Sequence, residues 1–244
     1  MRLGEATFCA IDAETTGSTR SSDRVIEVGA VRFRLDGSKA KTWSALMNPG
    51  VPIKADAMAI HGIHPNDLAD QPPPAIALAT LPAFLANVDV LFAHGASFDA
   101  MFIGQELRLA NLPICEAPML DSLRIAKARL RGMVNYKLGT LATHLGVAKG
   151  KAHRALGDAI TLARMMKLLL DPEETLFDLS RIAKVYSLAK AGKRKWVVEQ
   201  QQLDLMLAPA VVLTTGGCEC WNPDLDIEQV APVWGREEVA AETA

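Results

Sequence analysis

The sequence predicts a layered α/β or α+β protein in which helices cover a sheet. Two observations predict it: strand-like apolar runs come first along the chain, and helix-period apolar patterns follow them. The absence of an internal repeat or a long low-complexity segment excludes solenoids and repeat arrays.

Ala6 to Asp12 is an apolar run that reads as the first strand. Arg24 to Leu35 reads as the second, with Val25, Val28, Val31 and Phe33 in a loosely alternating pattern that is interrupted near Gly29. Asp36-Gly37 signals a turn into a third strand, Lys41 to Met47, which Asn48-Pro49-Gly50 ends. A short helix is expected over Ala55 to Ile60, and after Pro72-Pro73-Pro74 another over Ala75 to Ala86. Val88 to Phe92 is a continuous apolar run suited to a buried central strand. Ser97 is expected to N-cap a helix reaching Leu109, with Asp99 in its first turn. Met119-Leu120 leads through Asp121-Ser122 into a basic helix ending near Arg131. A short helix over Tyr136 to Leu145 closes at Gly146, and Ala155 to Leu170 carries the amphipathic pattern of a longer one. Asp171-Pro172 ends the compact region.

With 244 residues, half of them hydrophobic and 22% charged, the chain can bury a substantial core. No apolar run approaches membrane-spanning length and no basic-then-apolar leader opens the chain, so a cytoplasmic protein is expected. Cys9, Cys115, Cys218 and Cys220 do not form a disulfide framework, and Cys218-x-Cys220 without a second pair or nearby histidine is weak evidence for zinc. The formal net charge of −2 argues against a uniformly basic nucleic-acid surface. Charge is nevertheless segregated: no acid lies between Asp121 and Asp158, whereas Arg124, Lys127, Arg129, Arg131, Lys137, Lys149, Lys151 and Arg154 do. Such a stretch suits a surface that tracks phosphates.

A small acidic focus ends the first strand. Asp12 and Glu14 are two apart, so in an extended strand they project from one face while Ile11 and Ala13 face the other. Two neighbouring carboxylates repel unless a cation lies between them, and oxygen ligands suit hard ions such as Mg²⁺ or Mn²⁺. Taken alone, a D-x-E is more often a pair of solvated acids, so its company elsewhere decides. Asp99 follows the buried strand at the start of a helix, where ligands collect in layered α/β proteins. His153 and Asp158 are five apart, about 140° around a continuous helix. They reach one site only if His153 lies in the turn before the helix; an imidazole there suits proton abstraction near neutrality.

Together Asp12-x-Glu14-Thr15-Thr16-Gly17, Phe98-Asp99 and His153 followed by Asp158 resemble the three exonuclease motifs of the DEDD superfamily, histidine subgroup. Asn48-Pro49 and Ile60-His61-Gly62-Ile63 are similar to a stretch of its DNA polymerase III epsilon-like branch. The resemblance covers roughly residues 6 to 170. It implies a ribonuclease H-like fold, a mixed central sheet flanked by helices, with residues 1–172 as the exonuclease domain and 173–244 as a C-terminal extension. The implied reaction is stepwise 3′ to 5′ hydrolysis of single-stranded DNA ends to nucleoside monophosphates, in proofreading or repair. Asp12, Glu14, Asp99 and Asp158 would hold two Mg²⁺ or Mn²⁺ ions about 4 Å apart, and His153 would act as general base. Thr15, Ile60 and His61 would contact the terminal nucleotide. Two positions depart from the family pattern: Gly95 stands where Asn usually follows the second-motif histidine, and His64 where Thr often follows Ile-His-Gly-Ile.

In the extension, a helix is expected to run from Pro172 through Leu179 towards Ala189, followed by the basic run Lys190 to Lys195, a linker or phosphate contact. Gln202-Leu203-Asp204-Leu205-Met206-Leu207 resembles the hexapeptide by which bacterial replication proteins bind the sliding clamp, although its alternating leucines equally suit a buried strand. Trp196, Trp221 and Trp234 favour burial against the nuclease domain or a partner, such as a DNA polymerase. Two alternatives remain open: an RNA-trimming exoribonuclease of the same family, and a non-catalytic replication scaffold or clamp-binding module.

Overall fold

The computed structural model describes residues 1–38, 40–150 and 152–189. Its strands are β1 (Phe8–Thr15), β2 (Val25–Phe33), β3 (Lys41–Leu46), β4 (Val90–Ala93), β5 (Met119–Asp121) and β6 (Val185–Tyr186). The helices are α1 (Ala55–His61), α2 (Pro65–Leu68), α3 (Pro74–Ala77), α4 (Leu81–Phe84), α5 (Ser97–Leu109), α6 (Ser122–Arg129), α7 (Leu138–His144), α8 (Ala155–Leu169) and α9 (Leu176–Ile182). The strands form one mixed sheet in the order β3-β2-β1-β4-β5-β6. β1 and β4 at its centre are parallel, β5 continues that direction, and β2, β3 and β6 join antiparallel.

Strand alternation sorts the core into two layers. Phe8, Ala10, Val31, Phe33, Val90, Phe92 and Leu120 face one way and bury against α6, α7, α8 and α9. Cys9, Ile11, Ala13, Val28, Ala30, Trp43, Leu91 and Met119 face the other way, against α3, α4 and α5. Asp12 and Glu14 continue the first face beyond the point where apolar residues stop. A smaller cluster of Ile26, Ile63 and Leu68 seats α1 and α2 beside β2.

β2 itself runs through Gly29 as the single strand expected, with Gly29 opposite Asp12. The missing side chain serves packing between layers: a Cβ there would lie 2.2 Å from the Leu156 nitrogen and 2.3 Å from the Ala155 carbonyl carbon. Several elements differ from the sequence-based expectation. The single helix expected over Ala75 to Ala86 is two short pieces, because Pro82 has no N–H to continue a helical ladder and instead opens α4. Ser97 is the first residue of α5 rather than its N-cap; Ala96 precedes it with no side-chain cap. Met119–Asp121 is a full strand, too short to announce itself by period, and Asp121 then caps α6 by accepting from the Leu123 N–H.

The helix expected to run towards Ala189 ends at Ile182. The chain then turns back as β6 on the sheet edge, and Leu179 and Leu188 are fully buried, one in each layer. The N-terminus is tied to the same region, with Leu3 and Gly4 N–H groups donating to the Glu174 and Pro172 carbonyls at 2.8 and 2.9 Å. The basic run 190–195, the hexapeptide 202–207, Trp196, Trp221, Trp234, Cys218 and Cys220 lie outside the described residues. Among the described residues, no helix is long and apolar enough to cross a membrane.

Candidate active site

β1 carries Asp12 and Glu14 to the end of the sheet, and the first turn of α8 brings Asp158 above them. One carboxylate oxygen from each of the three lies within 4.8 Å of the others. Their chemistry suits a hard divalent cation: the donors are all oxygens, all anionic, and only partly open to water. Asp99, 4% exposed in the first turn of α5, approaches from the opposite layer and is not part of that three-residue group. It acts on the group through charge, since it is the strongest charge effect raising the pKa of Asp12.

All four carboxyls are held above the usual carboxylate range. Burial is the main cause for Asp12, reinforced by Asp99, Glu14 and Asp158. Burial and then Glu27 push Glu14 to about 8. Asp99 rises to about 7 by burial, against a pull downward from backbone N–H groups of Asp99 and Ala13. Burial raises Asp158, opposed by the His153 N–H that donates to its Oδ2 at 3.0 Å. A site whose acids all resist ionisation is one in which a bound cation would relieve both desolvation and mutual repulsion.

His153 occupies the turn before α8, exposed, with a left-handed φ of 56°. That conformation is uncommon for a residue with a Cβ and persists where surroundings over-determine it. Here they do. The His153 N–H is tied to Asp158, and the next residue, Arg154, forks onto Glu27 through Nε and Nη2 at 2.7 to 3.1 Å. The Ala155 N–H donates to Glu27 Oε2 at 3.0 Å. Nothing local in the sequence marked Glu27 as functional, and Arg154, expected on a phosphate-tracking surface, is instead engaged by Glu27, whose pairing with Glu14 across β1 and β2 places both at the site.

Thr15 is buried, its hydroxyl donating to the Gly17 carbonyl at 2.6 Å. At the end of α1, Ile60 is 61% exposed whereas His61 is buried. His61 Nδ1 accepts from the Ile63 N–H at 3.0 Å, so the ring proton of the neutral form belongs on Nε2, which is buried without a hydrogen-bond partner. Burial lowers its pKa and keeps the ring neutral, against a smaller opposing pull from the Thr15 backbone. Lys54, just before α1, bonds Asp23 at 2.6 Å and ties this segment to the loop after β1.

Both departures from the family motifs have structural accounts. Gly95 has φ 89°, a left-handed conformation that Asn tolerates better than most residues, and its N–H donates to Asp121 at 3.0 Å. His64 is the N-cap of α2, and its N–H donates to Asp67 Oδ2 at 2.7 Å in a capping box of the kind a threonine also makes. Beside His153 and Asp158 opens a cavity of about 1000 Å³, rimmed by Arg131, Lys137 and Lys149. His94 braces its wall, bonding Ser122 Oγ at 2.9 Å and the Tyr136 carbonyl at 2.8 Å.

A family model described as exonuclease (RNase_T) matches residues 9–166. The PolC-type DNA polymerase III of Caldanaerobacter subterraneus subsp. tengcongensis is 33% identical over 169 residues, which cover 68% of this chain and 12% of that protein. The DNA polymerase III epsilon subunit of Treponema pallidum is 34% identical over 154 residues, 62% of this chain and 71% of the relative. The chain thus spans about an eighth of the PolC-type relative's length. Among solved structures, exonuclease X in complex with 5′ overhanging duplex DNA superposes with a TM-score of 0.57 at 24% identity, covering 72% of this chain and 98% of that one. Escherichia coli exonuclease I with a dT13 oligonucleotide gives 0.61 at 20% identity, covering 71% and 43%. These likenesses show a shared fold, the mixed sheet flanked by helices of ribonuclease H-like exonucleases.

Proposed function

The chain belongs to the exonuclease family, and from that premise we propose that it removes nucleotides from the 3′ end of single-stranded DNA by metal-assisted hydrolysis. The observation that carries this reading is the convergence of Asp12, Glu14 and Asp158 directly beside the His153 turn. Asp12, Glu14 and Asp158, with Asp99 behind them, would hold two Mg²⁺ or Mn²⁺ ions. When bound, such ions neutralise charge on the scissile phosphate and acidify the attacking water.

The chain's own residues do the remainder. His153 accepts the proton of the water whose oxygen attacks phosphorus. The P–O3′ bond then breaks, releasing a nucleoside 5′-monophosphate, and the departing O3′ takes a proton from solvent to become the new 3′-hydroxyl of the shortened strand. Exposed Ile60 packs against the terminal base, while His61 Nε2–H donates to an oxygen of the terminal nucleotide beside Thr15. Arg131, Lys137 and Lys149 line the cavity with positive charge suited to the phosphates that precede the scissile one. An unpaired end is favoured because the terminus must bend into the site.

Relatives named as parts of DNA polymerase III make that polymerase the proposed partner, in proofreading or repair, with residues 202–207 as the proposed contact to a sliding clamp. The test is hydrolysis of 3′- and 5′-labelled single-stranded DNA, and of matched RNA, with Mg²⁺ or Mn²⁺. Mononucleotide release from the 3′ end, abolished by Asp12→Ala or by chelation, is expected. Faster cleavage of RNA transfers the activity to RNA trimming, and no cleavage of either refutes the enzymatic reading.

A further inference from the structure

We propose that Glu27 and Arg154 are a positioning pair that sets His153 and Asp158 against the carboxylates of β1; the inference rests on the exonuclease reading of that site. Glu27 stands opposite Glu14 in the β1–β2 register and on the same face, yet only 4% of it is exposed. Both its oxygens are engaged: the Arg154 guanidinium forks onto them at 2.7 to 3.1 Å, and Oε2 also accepts the first amide of α8. One buried carboxylate therefore fixes the residue after His153 and the helix terminus that carries Asp158.

The bidentate fork sets orientation as well as distance. Packing alone does not set it, because the contact at Gly29 only lets the start of α8 lie close to β2. A second pair repeats the arrangement on the other layer. Arg24, just before β2, forks onto buried Glu106 of α5 at 2.6 and 2.7 Å, and α5 carries Asp99. β2 supplies none of the proposed metal ligands, yet it anchors both helices that do.

Stability gives no reason for this choice of residues. Buried ion pairs are commonly no better than apolar residues of similar size. Glu27 moreover adds negative charge where negative charge is already in excess, and is the leading charge effect raising Glu14. The geometry it confers on the His153 turn accounts for that cost.

Arg154→Lys keeps the charge and removes the fork; Arg154→Ala removes both and leaves room for added guanidinium. Three readouts apply to the full chain: kcat and KM on single-stranded DNA, Mn²⁺ affinity by electron paramagnetic resonance without substrate, and amide exchange of residues 153–158 without metal. Arg154→Lys is expected to lower kcat about 10- to 100-fold with KM nearly unchanged, and to weaken Mn²⁺ binding about tenfold. The Ala155 amide is expected to exchange faster, and guanidinium to restore part of the activity of Arg154→Ala. Native kcat and Mn²⁺ affinity in Arg154→Lys, with only the melting temperature lowered, would overturn the proposal, and that variant decides if Arg154→Ala does not fold. If the native chain cleaves no nucleic acid, the exonuclease reading falls, while Mn²⁺ binding and amide exchange still decide whether the pair positions the turn.

Discussion

Gly29→Ala tests the architecture of the site most directly. A Cβ at Gly29 would lie 2.2 Å from the Leu156 nitrogen, 2.3 Å from the Ala155 carbonyl carbon and 2.4 Å from the Leu156 Cα. Ordinary non-bonded contacts are about 3.5 to 4.0 Å, so the backbones must separate by about 1 Å or more. β2 is hydrogen-bonded on both sides, by β1 and β3, and α8 is the body that moves. Asp158 lies within one turn of Ala155 and moves with it, away from Asp12, which faces Gly29 across the sheet. Overpacking of this kind costs about 1 to 3 kcal/mol, which for a chain of this size lowers the melting temperature by about 2 to 12 °C. The effect on catalysis is larger, because a displacement of about 1 Å costs on the order of 100-fold in rate. Thermal unfolding and single-strand hydrolysis, measured together, check both numbers. Gly37→Ala is the control: its φ of 80° makes it strained, but open space surrounds it, and activity is expected to stay native. A Gly29→Ala protein with native melting temperature and rate would refute the claim that close approach of α8 to β2 builds the site.

Raised folded-state pKa values at Asp12, Glu14, Asp99 and Asp158 mean that the metal-free native state binds more protons than the unfolded chain between the usual carboxylate range and about 8. Stability without metal should therefore fall as pH rises through that window, and Mg²⁺ or Mn²⁺ should raise the melting temperature far more at pH 8 than at pH 5; calorimetry at both values checks the sign. His153→Asn, which tolerates the left-handed turn, should lower kcat about 10²- to 10⁴-fold with Mn²⁺ affinity kept, as steady-state rates and metal titration will show. Ile60→Ala should leave stability within about 0.5 kcal/mol, since the side chain is 61% exposed, yet lower kcat/KM on single-stranded DNA about tenfold.

The features legible in the amino-acid order alone are local. The two-residue spacing of Asp12 and Glu14 puts both on one strand face wherever the strand goes, and the helix from Ala155 follows from its apolar period. The motif resemblance supplied the fold and reaction class, which family membership and shared architecture now carry. Tertiary structure decided what depends on partners far along the chain. Glu27 and Arg154 are 127 residues apart, and neither residue type nor spacing shows that one seats the other. In the sequence Gly29 only interrupts the alternation of a strand; the helix packed on it gives the missing side chain a purpose. β5 and β6 are three and two residues long, too short for periodicity, and exist because neighbours complete their hydrogen bonds. Asp99 shows the same division: sequence places it at a helix start, but only the meeting of two layers brings it near enough to act on Asp12 through charge while staying outside the group of three acids.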